Sequence, residues 1–120
     1  MVEIFRALSE ENRLRILSLL LEGEMCVCEI EAVLNLSQSN ASRHLTALKQ
    51  CGILDSFKKA QWTYYRINDQ FKQENAKLLG YLQDGLKELP TYQADQEAYK
   101  KYDSQNLCDC ITPQQGLKKL

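Results

Sequence analysis

The chain has little of what would commit it to catalysis. It contains one histidine, His44, so a His-rich metal site cannot be assembled from it. It has no Cys-x-x-Cys motif and no Gly-rich loop to cradle a phosphate or an oxyanion. A thiol enzyme is therefore a poor reading, and the expectation is a protein that is not an enzyme. No apolar run reaches about 18 residues, and the amino terminus opens on an amphipathic stretch, so neither a membrane span nor a secretory signal is expected. A cytoplasmic chain without a membrane partner follows. A large charge excess is missing too: the net charge is −1, which argues against a bulk polyanion binder. The 120 residues provide for one core and little more.

What is present is unevenly placed. Residues 1–37 carry 3 basic and 7 acidic side chains, residues 38–66 carry 5 and 1, and residues 67–120 carry 7 and 8. The positive charge thus gathers in one middle segment, the footprint of local phosphate binding. That segment begins with NLSQSNASRHLTALKQCG, Asn35 to Gly52. Ala41, Leu45 and Leu48 recur at spacings of four and three and form one helical stripe. The other face holds Gln38, Ser39, Asn40, Ser42, Arg43, Thr46 and Lys49, with no acid among them. Ser37 suits an N-cap and Gly52 a stop. Such a helix fits the major groove, where these groups reach phosphates and base edges.

The flanks complete a pattern. Cys28 to Leu34 reads as a short helix with Ile30, Val33 and Leu34 on one face, a few residues upstream, which is the form of a helix-turn-helix. Downstream, Ile53 to Lys58 and Trp62 to Ile67 are β-rich runs separated by Lys59-Ala60-Gln61, a hairpin with a basic tip. The fold expected is mainly α (α+β), a winged helix-turn-helix whose two-stranded wing lies along a phosphate backbone.

The succession ALSEENRLRILSLL (Ala7 to Leu20), MCVCEIEAVLNLSQSNASRHLTALKQCGIL (Met25 to Leu54) and WTYYRI (Trp62 to Ile67) resembles the ArsR/SmtB family of metal- and metalloid-responsive repressors. The resemblance covers roughly residues 3 to 89. It implies a homodimer joined through its amino- and carboxy-terminal helices and bound to double-stranded operator DNA. Gln38, Ser39, Asn40, Ser42, Arg43 and His44 are expected to face DNA from the reader helix, with Lys58, Lys59 and Gln61 of the wing on phosphate.

Five cysteines without an export signal point to metal binding, reactive thiols or burial rather than to a disulfide framework. Cys26 and Cys28 open the helix before the reader, where the helix dipole favours thiolate. In a regular helix residues i and i+2 do not face each other, so one ion can take both sulfurs only if the first turn is distorted. In the family resembled, Cys-Val-Cys at this place marks inducer binding by arsenite-responsive and some soft-metal-responsive members. Soft As(III) or Sb(III) takes about three thiolates. The common Cys-x-Cys-x-x-Cys pattern is broken here by Glu31, so the third thiol is unassigned, and Cys108 and Cys110 are candidates from the same or the partner subunit. The metalloid is an inducer, not a permanent cofactor. With one His the zinc-sensing branch fits poorly, and with no Cys before Cys26 so does the cadmium or lead type with an extra amino-terminal Cys. Another soft ion such as Cd(II), or thiol oxidation, stays open as the trigger. Cys51 reads as structural.

The remaining elements are expected as follows. Val2 to Leu8 is a short helix. Ser9 caps a second helix rich in Leu14, Ile16, Leu17, Leu19, Leu20 and Leu21, ended by Gly23. Asp69 to Leu89 is one long helix stopped by Pro90. Thr91 to Asn106 is a further helix laid on the dimer, and Ile111 to Leu120 is loose. Residues 1–90 make the winged-helix and dimerisation domain, and 91–120 a partly helical extension.

Overall fold

The computed structural model describes residues 1–105. Cys108, Cys110 and the segment 111–120 expected to be loose lie outside the described residues. The order is α1 (Val2–Ala7), α2 (Glu11–Leu20), β1 (Met25–Cys26), α3 (Val27–Leu34), α4 (Gln38–Gln50), β2 (Leu54–Lys59), β3 (Trp62–Ile67), α5 (Asp69–Glu74), α6 (Ala76–Gly85), a 3₁₀ turn (Leu86–Glu88) and α7 (Tyr92–Gln105).

Helix α2 is apolar on several sides because it is enclosed on several sides: it packs against α3, α4, β3, α7 and the 3₁₀ turn. Ile16, Leu17, Leu19 and Leu20 are buried, while Leu14 and Leu21 are half-buried. Its N-cap is Glu10, with extended backbone, rather than the expected Ser9. The Ser9 hydroxyl instead donates to the Arg6 carbonyl at 2.6 Å and closes the end of α1.

The hairpin forms with a tighter tip than expected. Lys59 pairs with Trp62, which leaves a two-residue turn, Ala60-Gln61, with Ala60 at φ 59°. Strand β1, unforeseen, pairs antiparallel with β3 as Met25 to Tyr65 and Cys26 to Tyr64, giving a three-stranded sheet in the order β1-β3-β2. A two-residue strand has no alternation to read in the sequence.

The single helix expected over 69–89 is broken. Asn75 sits at φ −127°, ψ 39° and separates α5 from α6. Asn is a weak helix former whose side chain competes for backbone hydrogen bonds. Leu89 is extended at ψ 137°, as a residue before proline prefers. The further helix does form, and it packs on α2 and α3. Arg15 pins it there: Nε and Nη2 each donate to Asp95 at 2.9 Å, and Nη2 also donates to the Leu34 carbonyl at 3.2 Å. Tyr102 of α7 is buried with the core, and Ala98 and Tyr99 pack against it.

Candidate nucleic-acid interface and cysteine pair

The turn of the helix-turn-helix is built by three residues. Asn35 takes the left-handed conformation, φ 56° and ψ 48°, which asparagine tolerates better than branched residues. Leu36 N–H then bonds the Glu31 carbonyl at 3.0 Å and closes α3. Ser37 starts α4, its hydroxyl accepting from Asn40 N–H at 3.2 Å. Ala41, Leu45 and Leu48 are buried on one side of α4, and Gln38, Ser39, Asn40, Ser42, Arg43 and Lys49 are exposed on the other.

His44 departs from expectation. It is 1 % exposed, and its Nδ1 accepts from Arg13 Nε at 3.2 Å, so it belongs to the inner face of α4 and not to the surface offered to DNA. Spacing explains this in hindsight: 41, 44, 45 and 48 form a continuous apolar-side row at helical period. Burial, and next the Arg43 charge, push the imidazole below its ordinary value, with Glu10 acting the other way.

The wing carries exposed Lys58, Lys59 and Gln61 at its tip. Strand alternation divides them between faces. Lys59 lies over the Tyr64 ring at 5.4 Å, beside the stacked Phe57 and Tyr64 rings and Arg66 over Phe57 at 4.9 Å. On the other face the Lys49 ammonium donates to Ser56 Oγ at 2.7 Å, tying the end of the reader helix to the base of the wing.

The cysteine pair sits where reader support and wing meet. Cys26 is at once the N-cap of α3, with extended backbone at ψ 148°, and the β partner of Tyr64. Because Cys26 stands outside the helix, no unwinding is needed: its Sγ lies 3.2 Å from the Cys28 Sγ. The distortion expected for an i, i+2 pair is replaced by a capping geometry. Glu29 accepts from Cys26 N–H at 2.9 Å, holding that geometry.

The expected dipole-stabilised thiolate at Cys26 is not what the environment favours. Burial, reinforced by Glu29 and Glu31, raises the Cys26 thiol above its ordinary value, against the backbone N–H groups of Cys28 and Glu29. Among the described residues no group of three or more His, Cys, Asp or Glu is arranged to hold a metal ion. Cys51 is half-buried, its Sγ donating to the Leu48 carbonyl at 3.3 Å.

A helix pair presenting an acid-free polar face, with a basic-tipped hairpin beside it, defines a winged helix-turn-helix, the fold of a DNA-binding transcriptional regulator and not of an enzyme. Residues 10–56 match the family described as "Bacterial regulatory protein, arsR family". The chain belongs to that family.

Its relatives include the arsenic resistance transcriptional regulator ArsR1 of Pseudomonas putida, 44% identical over 71 residues. That match spans 58% of this chain and only 56% of the relative. The arsenical resistance operon repressor of Escherichia coli is 38% identical over 65% of this chain and 68% of its own. The cadmium resistance regulatory protein CadC of Listeria innocua is 39% identical over 68% and 65%. Among solved structures, HlyU from Vibrio cholerae is 36% identical with TM-score 0.58, covering 68% of this chain and 88% of that one. The homodimeric winged helix-turn-helix domain of Mb0332 from Mycobacterium bovis is 30% identical with TM-score 0.60, covering 69% and 77%. No described helix is long and apolar enough to cross a membrane.

Proposed function

We propose that the chain is a homodimeric repressor that leaves its operator when As(III) or Sb(III) is captured by Cys26, Cys28 and a third thiol. The observation that carries this is the 3.2 Å separation of the two sulfurs. Metal–sulfur bonds of about 2.3 Å need sulfurs no more than about 4.6 Å apart, so one ion reaches both. Relatives named for arsenic resistance support the same reading.

The raised Cys26 thiol favours metalloid over Cd(II). Arsenous acid takes three thiols and releases three waters, with no net proton. Cd(II) must displace a proton from every thiol it binds, so burial of Cys26 weighs against it near neutral pH. The third thiol is Cys108 or Cys110, of the same chain or of the partner subunit. Asp95 anchors α7 at the carboxyl end of α3, and Tyr99 and Tyr102 continue onto the same core.

Capture would act on two elements at once. Cys26 caps the helix that supports the reader and is paired to the strand that carries the wing. Gln38, Ser39, Asn40, Ser42 and Arg43 face the groove, and Lys58, Lys59 and Gln61 meet phosphate.

A second reading is favoured by the same close approach of the Cys26 and Cys28 sulfurs. Oxidation of two of these thiols to a disulfide, with their two electrons and two protons passed to a peroxide that is reduced to water or alcohol, would itself be the signal, and a cellular thiol reductant would restore the repressor. Fluorescence anisotropy on the chain's own upstream DNA separates the two. With reductant present, arsenite is expected to release the natural chain but neither Cys26→Ser nor Cys28→Ser, and to release Cys108→Ser/Cys110→Ser only weakly. Release by peroxide with indifference to arsenite would favour oxidation. Tight DNA binding that ignores both would end the thiol-sensor reading and leave the winged helix standing.

A further inference from the structure

Arg43 is the one cation in the first two turns of α4, the part of a reader helix that meets base edges. Its neighbours Gln38, Ser39, Asn40 and Ser42 are short or uncharged, and only its planar fork can grip a guanine edge with two parallel bonds. An exposed arginine is ordinarily free to swing to any nearby phosphate. Arg43 is not left so. Its Nη1 lies 3.6 Å from Glu10 Oε1, and its Nη2 lies 3.3 Å from the Nε2 of the immobile His44.

Glu10 is itself fixed. At the N-cap of α2, its Oε2 takes Arg13 Nη2 at 3.0 Å, while its Oε1 also stands 3.9 Å from His44 Nδ1. The neutral imidazole has one lone pair for two guanidiniums. With the Nδ1 lone pair taken by Arg13, Nε2 carries the hydrogen, and the Glu10 carboxylate is what holds Arg43. An acid beside the DNA face repels phosphate, so its presence there needs a use.

We propose that Glu10 is a positioning residue that presents Arg43 as a fixed, forked donor to a base edge, making Arg43 the residue on which operator discrimination depends. This rests on the DNA-binding reading above. A group ordered before binding loses less freedom on contact, and the advantage is realised only where the partner matches its fixed position.

The test measures binding of the full chain to its operator and to a scrambled duplex of equal length. The natural chain is compared with Glu10→Gln, Arg43→Lys, Arg43→Ala and Glu10→Gln/Arg43→Ala. Glu10→Gln is expected to lower the operator-to-scrambled preference about threefold to tenfold. Arg43→Lys, which keeps the charge but not the fork, is expected to lower the operator-to-scrambled preference at least as far as Glu10→Gln does. In the Arg43→Ala background, Glu10→Gln is expected to change nothing further. Equal weakening of both duplexes by Arg43→Ala would make it a phosphate contact and overturn the proposal. So would an undiminished Glu10→Gln effect without Arg43, which would mark a structural role. If Glu10→Gln melts early, the exposed Arg43→Lys decides the case. Failure of the natural chain to bind either duplex would strike the DNA-binding reading itself.

Discussion

At the scale of the residue, position within an element overrides chemical type. His44 lies among DNA-facing side chains in sequence, yet its offset of three from Ala41 and one from Leu45 turns it inward. Its burial has a consequence for stability. The folded chain holds the imidazole below its ordinary value of 6.5, so the unfolded chain binds more protons between that value and the lowered one. Stability from this group is complete above about pH 6.5 and is lost as pH falls through that window. Urea unfolding of His44→Gln should lack this acid-side decline, whereas the natural chain shows it. Cys26 carries a similar lesson. A cysteine at a helix start suggests a thiolate, but burial outweighs the dipole here. Arsenite affinity under reductant is expected to stay nearly flat from about pH 6 to 8, while Cd(II) affinity climbs steeply with pH. Parallel curves would show that neither ion feels the buried thiol.

At the scale of the element, α7 shows how a polar segment is held. Its sequence has few apolar residues, and it is recruited by a two-pronged ion pair that the amino-acid order cannot disclose, since Arg15 and Asp95 lie 80 residues apart. Asp95 is 4% exposed, so removing it strands a guanidinium that is itself largely covered. Asp95→Ala is expected to cost about 3 kcal/mol in urea unfolding, near the low end for a broken buried pair because Asn12 and the Leu34 carbonyl still accept from Arg15. Hydrogen exchange should rise first along α7. A cost below about 1 kcal/mol would mean α7 is held by packing alone. The reader helix and the wing were legible because each repeats its own period several times over. Strand β1 and the break at Asn75 were not, because one is too short for any period and the other is a single residue's departure from one.

At the scale of the whole molecule, the single chain leaves apolar groups uncovered. Val2 and Phe5 on α1 are 64% and 54% exposed, and Tyr81 on α6 is 73% exposed. These are the helices through which the dimer was expected to form, and a two-fold operator needs the reader helices about 34 to 36 Å apart. Phe5→Glu/Tyr81→Glu is expected to sediment as a folded monomer and to lose most operator affinity. A dimer that persists would put the interface elsewhere.

The sequence alone determined the local and periodic features: the capped turn at Asn35 to Ser37, the two-faced α4, the hairpin, the middle band of positive charge and the paired cysteines. Each depends on residues within a few positions of one another, where spacing and side-chain type suffice. Tertiary structure alone decided which long-range partners meet. It set Cys26 outside its helix and against Tyr64, closing the sulfurs to 3.2 Å. It buried His44 beneath Arg13, placed Glu10 against Arg43, and laid α7 on α2 and α3. Those choices follow from how the elements fill one core, and packing depends on all of them together.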